Sequence, residues 1–273
     1  MKAVFNIPPS SVSKGSLHLL IEMGSYGVSF LWYTRNPVYI RGIAVYNFNS
    51  SHIESHIDRI LQAQLNNITG LASVTISYDL KENVLLPSAY NHEPAIHSAL
   101  TLLHGDAEDI IVNNDHITSA GIYNHYRIAR SIEIIFGKQF PGAIRFHSTS
   151  LQTEHFSNGG NGIYCIVFHN CIKVILMNDK KLQLVQYFDY SIPEDVAYHL
   201  LNTCEQHNIK SSDITLTLSG MIDEQSKLYT ELYQYFSNIS FQNNPAGVNV
   251  PDEIKQWPEH FFSHLILLAV CVS

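Results

Sequence analysis

Two stretches of the 273-residue chain, 17–79 and 163–220, present the same signals in the same order. Each reads as two strands joined by a tight turn, a third strand rich in aromatics, a capped amphipathic helix and a fourth strand. The correspondence holds at an offset of 140 residues: Phe48, Ser51, Glu54 and Leu61 fall on Phe188, Ser191, Glu194 and Leu201, and Val74 and Ile76 on Ile214 and Leu216. Short turns oblige the first three strands to run antiparallel. A fourth strand reached through a helix returns to the sheet parallel. The repeat therefore predicts an α/β protein of two duplicated lobes. Each is a mixed sheet with three antiparallel strands, a crossover helix and a parallel strand.

Local signals place the elements. Ser51-His52-Ile53-Glu54 and Ser191-Ile192-Pro193-Glu194 read as capping boxes, with Pro193 near a first helical position where a missing N–H costs nothing. Ile53, Ile57, Ile60, Leu61 and Leu65 recur at helical spacing, as do Val196, Leu200, Leu201 and Cys204. Between the copies, 84–87 is a short apolar run stopped by Pro87 and 95–103 reads as a short helix. A hairpin turns at Asn113-Asn114-Asp115, a helix covers 127–137 and a strand 143–150. The Gly-rich segment 157–162 reads as a linker, which divides the chain into lobes 1–156 and 157–273. Beyond the second copy, 226–236 is helical, 243–251 a loop and 258–272 a closing helix.

Composition narrows the function classes. Apolar residues make up 45% and charged residues 15%, enough for sizeable cores and unlike a disordered chain. The net charge is −8, and 16 Lys and Arg are scattered singly. No basic stripe is present to displace counterions from phosphates, which argues against nucleic acid as a partner. The longest apolar run, 261–272, is broken by Ser263 and His264 and is shorter than the ~20 residues of a bilayer span. It reads as a buried helix. No apolar run follows the start, 1–16, as a signal peptide requires. Cys165, Cys171, Cys204 and Cys271 form no CxxC pair and are expected as buried free thiols in a reducing cytoplasm.

The segments 182–188 and 191–198, with Thr217-Leu218-Ser219-Gly220 leading into Ser226-Lys227-Leu228-Tyr229, complete a plan that resembles the actin-like ATPase fold built on the ribonuclease H core. The resemblance covers nearly the whole chain. It is also similar to a family of uncharacterised bacterial proteins known only as a domain of unknown function, and to actin-like modules of pilus and secretion machinery. The resemblance implies a nucleotide site. In active members two strand–turn–strand hairpins grip the phosphates, each with an Asp beside a small glycine turn. The carboxylates hold hydrated Mg²⁺ and backbone N–H groups face the phosphate oxygens. On that resemblance Glu22, Gly24, Ser25 and Gly27 of the first hairpin, with Gly220, are the nucleotide-binding residues. Glu22 stands where Asp is usual. The second hairpin, Val167-Phe168-His169-Asn170-Cys171-Ile172, has no acid and no glycine. A Cβ on every turn residue limits how near a phosphate can lie. The adenine-packing glycine pair survives only as Ser219-Gly220.

Other constellations carry plainer readings. Gly24 and Gly27 flank a tight turn that calls for positive φ. The glycines of 159–162 precede a strand without a Lys, so they form a linker and not a phosphate loop. His52 and His56, and His260 and His264, are four apart, but Glu54 is one position off an HExxH pattern. All four read as surface histidines and no metal is expected. His169 fills space in the second turn. No GxSxG turn occurs, so no nucleophile or other catalytic residue is assigned. Asp106, Glu108 and Asp109 read as a solvated loop, with paired carboxylates as the alternative. Leu228, Tyr229, Leu232, Tyr233 and Phe236 form an aromatic stripe, read as core packing with an interaction face as the alternative. Together these predict a cytoplasmic bacterial pseudoenzyme: a degenerate actin-like scaffold that works through an unknown protein partner, as a possible homodimer, without a cofactor. The alternatives are an atypical ATPase or kinase that binds Mg-ATP weakly through the first hairpin, and a small-ligand binder in a cleft between the halves.

Overall fold

A computed structural model describes residues 3–9, 16–48, 53–66, 70–157 and 159–273. Two compact units emerge: Met1–Gln152 with Gly247–Ile254 and Leu268–Ser273, and Thr153–Ala246 with Lys255–Leu267.

The elements of the first part of the chain are β1 (Phe5–Ile7), β2 (His18–Gly24), β3 (Gly27–Thr34), β4 (Tyr39–Asn47), α1 (Ile53–Leu65), β5 (Ser73–Asp79), β6 (Asn83–Pro87), α2 (Glu93–His104), β7 (Ile110–Ile117), β8 (Ile122–Ala129), α3 (Arg130–Gln139), β9 (Ile144–His147) and α4 (Ser148–Phe156). The large sheet has the order β1-β4-β3-β2-β5-β9. Strands β1 to β4 pair antiparallel, and β5 and β9 run parallel to β2. The central strand β2 is covered on both faces. Leu19, Ile21 and Met23 join Ile57, Ile60 and Leu61 of α1 and Ile132 and Phe136 of α3 in one apolar core. The opposite face buries Leu20, Leu31 and Ile43 and, toward the end of β2, polar residues: Glu22 pairs in register with Ser77, and Gly24 with Asp79. A second, antiparallel sheet has the order β6-β8-β7.

The second part of the chain contains β10 (Gly162–Val167), β11 (Cys171–Asn178), β12 (Lys181–Asp189), α5 (Pro193–Gln206), β13 (Thr215–Gly220), α6 (Lys227–Tyr233), β14 (Asn238–Phe241), α7 (Asp252–Lys255) and α8 (Ser263–Cys271). Its sheet has the order β12-β11-β10-β13-β14, with β10 to β12 antiparallel and β13 and β14 parallel to β10. That is the order and sense of β4-β3-β2-β5-β9. Val196, Ala197, Leu200 and Cys204 of α5 and Leu228 and Leu232 of α6 cover Cys165, Leu216 and Leu218. The β11–β12 turn is a two-residue hairpin with Asp179 and Lys180 both left-handed (φ 49° and 58°), the conformation that matches strand twist.

Several boundaries differ from the sequence expectation, each for a reason of long-range bonding. The turn expected at Asn113-Asn114-Asp115 is strand: β7 runs straight through it. The Asp115 carboxylate accepts the His147 N–H at 2.7 Å and the Tyr126 hydroxyl at 3.4 Å, which holds the segment extended. The chain reverses instead at Thr118–Ala120, ended by left-handed Gly121 (φ 64°). The helix expected from 127 begins at Arg130, because the buried Arg127 guanidinium, on β8, donates to Gly105 O at 2.8 Å. The strand expected over 143–150 ends at His147, and Ser148 opens α4 by donating its hydroxyl to Asp79. At α5 the cap is made by Asp195, not Glu194: its carboxylate accepts the N–H groups of Ser191 (2.9 Å) and Ile192 (3.1 Å). Ser51 and His52 lie outside the described residues, and Glu54 accepts from Ser131 of α3 at 3.0 Å. Cys165, Cys171 and Cys204 are buried free thiols, whereas Cys271, in the last turn of α8, is exposed.

Asp115 generates a testable pH dependence. Burial pushes its carboxyl above the ordinary range, and the hydrogen bonds from His147, Ser150 and Tyr126 only partly oppose this. A carboxyl with a raised folded-state pKa disfavours folding once ionised. Its full stability holds below the unfolded value, near ~3.9, and part is lost as pH rises through the folded value. Asp115→Asn removes that loss. Urea midpoints at about pH 4 and about pH 7 should show the variant gaining on wild type at the higher pH. A difference that does not change with pH contradicts the assignment.

Candidate functional site

The first hairpin is set by the end of β2 and the start of β3, with Ser25 and Tyr26 between them. Neither Gly24 nor Gly27 takes a positive φ, contrary to expectation. Gly27 is required for space: a Cβ there meets Tyr46 O at 2.5 Å. Gly24 is different, since a Cβ meets Asp79 O at 3.6 Å and Gly27 O at 3.7 Å, which is ordinary contact. The protein itself tolerates a side chain at Gly24.

Parallel pairing of Gly24 with Asp79 brings a second carboxylate to the turn. Asp79 is buried and takes the Ser148 hydroxyl. Glu22 is also buried and lies within the sheet, in register with Ser29 and Ser77. Asp79, and not Glu22, is thus the acid at the mouth of the hairpin. Sequence reasoning missed Asp79 and Ser148. The available signal was an Asp closing a parallel strand, the position where α/β sheets place their ligand groups. Lys81 sits over the turn, with Nζ 3.0 Å from the Tyr26 hydroxyl and 4.7 Å from its ring centre.

These donors suit a hydrated hard cation, which takes one or two carboxylates and keeps several waters. Among the described residues no cluster of three or more His, Cys, Asp or Glu side chains is placed to hold a metal directly.

The second hairpin joins β10 to β11 and is closed upon itself. The Phe168 N–H donates to Cys171 O at 2.8 Å. The Tyr190 N–H donates to Asn170 O at 3.2 Å, and the Tyr190 hydroxyl to Phe168 O at 2.9 Å. His169 and Asn170, at the tip of the turn, are exposed. Beneath it, burial pushes the Cys165 thiol far up, which makes it inert as a nucleophile.

Gly220 lies at the end of β13, in the second unit, and is demanded by the backbone. Its φ is +84°, and a Cβ would lie 2.3 Å from Val167 O, the parallel partner whose carbonyl accepts the Met221 N–H at 2.7 Å.

The remaining constellations resolve into packing. His260 and His264 are buried, not surface residues. The His260 ring stacks on Phe241 at 3.9 Å, and its Nε2 lies 2.6 Å from Ile222 O. Leu228, Leu232 and Phe236 are core, while Tyr233 is 67% exposed. Asp109 pairs with Arg130 at 2.9 Å on the surface. Gly162 opens β10, so a strand, not a helix, follows the glycines. Among the described residues no helix is long and apolar enough to cross a membrane.

Residues 10–239 match the family described as "Protein of unknown function (DUF3822)". No curated protein matches the chain. A Bacteroides thetaiotaomicron protein described as having an actin-like ATPase fold and unknown function is similar in structure. Its TM-score is 0.73 at 18% identity over 85% of this chain and 94% of that one. The PilM-PilN type IV pilus biogenesis complex gives 0.65 at 10% identity over 93% and 97%. The ethanolamine utilization protein EutJ from Carboxydothermus hydrogenoformans gives 0.52 at 8% identity over 97% and 92%. The chain has the actin-like ATPase fold.

The glycines separate by substitution. Gly220→Ala combines left-handed strain with overpacking and is expected to cost about 3 kcal/mol or more. Gly24→Ala is expected to cost less than about 1 kcal/mol. Urea unfolding measures both. Equal costs would show that the two turns are not built as described.

Proposed function

The chain belongs to the DUF3822 family, a family of unknown function, and we propose that it is a catalytically degenerate actin-like scaffold that acts by holding a protein partner. The observation that carries this reading is the second hairpin. Its turn spends Phe168 N–H on Cys171 O and takes Tyr190 O–H onto Phe168 O. No carboxylate stands in it and no glycine lets a phosphate approach. A site that relies on two hairpins then keeps one, and losing a single oxyanion donor already costs about 10²–10³ in rate. The equal strand orders of the two sheets support lobes 1–156 and 157–273 as copies of one ribonuclease H-like half. The PilM-PilN complex is a case in which a protein of similar structure holds a partner protein. Exposed Tyr198 on α5 and Tyr233 on α6 supply the kind of aromatic surface that interfaces favour. A cytoplasmic location fits the buried free thiols, and a homodimer is one form the partnership can take.

The second reading is an atypical ATPase or kinase that binds Mg-ATP through the first hairpin. The room at Gly24 and the acids Glu22 and Asp79 favour it.

Thermal unfolding with and without excess Mg-ATP decides between them. A ligand at ~100 times its Kd stabilises by about 2.7 kcal/mol, a rise of roughly 5–10 °C at this size. The scaffold reading predicts no such rise. A rise that disappears in Glu22→Ala or Asp79→Ala overturns it and establishes the nucleotide site.

A further inference from the structure

We propose that the second unit binds a small, uncharged, indole-sized aromatic molecule in a cavity lined by Tyr164, Thr217, Phe241 and Gln242. The cavity has a volume of about 390 Å³, within the ~300–1,000 Å³ of small-molecule sites. It lies apart from the Phe168–Asn170 turn, and none of the residues assigned to a nucleotide lines it.

Its walls are rigid and aromatic. The Tyr164 ring stacks on Phe156 with centres 3.8 Å apart and planes 15° apart. Phe241 stacks with the buried His260 ring at 3.9 Å and with the Tyr229 ring at 5.6 Å, and His260 is itself fixed to Ile222 O. Rings held in this way need not reorganise, and the Tyr164 face turned away from Phe156 can stack a planar ring.

Its electrostatics select against charge. No Asp, Glu, Lys or Arg stands among the described lining residues. Burial holds His155 below the usual imidazole range and Tyr164 above the usual phenol range, so both stay neutral near pH 7. Entry of a charged molecule would lose hydration without a compensating partner.

Its polar groups orient. The Thr217 hydroxyl lies 3.2 Å from that of Ser240. Gln242 is anchored through its backbone, N–H to Leu218 O at 2.9 Å. Its side-chain amide is therefore carried on a fixed main chain and can accept the N–H of a bound ring.

Calorimetric titration of the full chain with indole tests the proposal. A ligand this small is expected to bind with a Kd of about 0.1–1 mM, given typical efficiencies per atom. Thr217→Trp, which fills the cavity, should weaken binding at least ~10-fold, and Gln242→Ala, on a loop, about 5-fold. Circular dichroism melts establish that each variant is folded, and the loop variant still tests the site if the strand variant does not fold. Absence of saturable heat, or binding unchanged in a folded variant, overturns the site. Tighter binding of N-acetyl-tryptophanamide than of indole assigns the cavity to a partner's tryptophan and overturns the small-molecule reading.

Discussion

Parallel pairing of a fourth strand beside the first is the constraint on which each unit depends. In the first unit it lays β5 along β2, residue by residue from His18–Ser73 to Gly24–Asp79. In the second it lays β13 along β10 as far as Val167–Gly220. A helix returns the chain each time, so the end of the fourth strand arrives beside the first hairpin turn of its own sheet. The strand-end residues are therefore placed by the crossover and not by local propensity. What each hairpin turn can hold follows from what stands at those two ends.

The two ends have been filled differently. At the first, Asp79 meets a glycine where a Cβ would make only ordinary contacts, and the Ser148 hydroxyl donates to the acid. At the second, the fourth strand brings Gly220, and its closeness to Val167 O leaves no room for even a methyl group. The hairpin there is tied by its own backbone and by Tyr190. A backbone N–H that already donates inward cannot also face a phosphate without breaking that bond. Leaving a buried polar group unmade costs ~1–3 kcal/mol.

Much of this frame was legible in the chain. Apolar runs marked β2, β3, β10 and β11, and the periodic Ile57-Ile60-Leu61 and Val196-Leu200-Cys204 faces marked the helices beneath them. Those signals are local, and local burial decides them. The misplacements share the opposite character. Asn113-Asn114-Asp115 has turn chemistry, yet Asp115 is used by His147, 32 residues away. Ser148 looks like a strand continuation until Asp79, 69 residues earlier, accepts its hydroxyl. His260 and His264 look solvated until a ring and a carbonyl enclose His260 and a Phe168 ring meets His264 edge-on at 5.8 Å. Polar residues consumed by distant partners give no periodic trace. The first hairpin was half legible for that reason: the turn glycines are neighbours in the chain, whereas Asp79 reaches them only through the crossover.

The account turns on the claim that the 168–170 turn is closed to triphosphate. Amide hydrogen exchange at Phe168 and across 22–27, in the free protein and with excess Mg-ATP, addresses that claim most directly. The account predicts that the Phe168 amide is protected in the free protein, through its bond to Cys171 O, and that nucleotide leaves it unchanged. Rapid exchange at Phe168 in the free protein, with protection appearing in both turns on adding nucleotide, would contradict it.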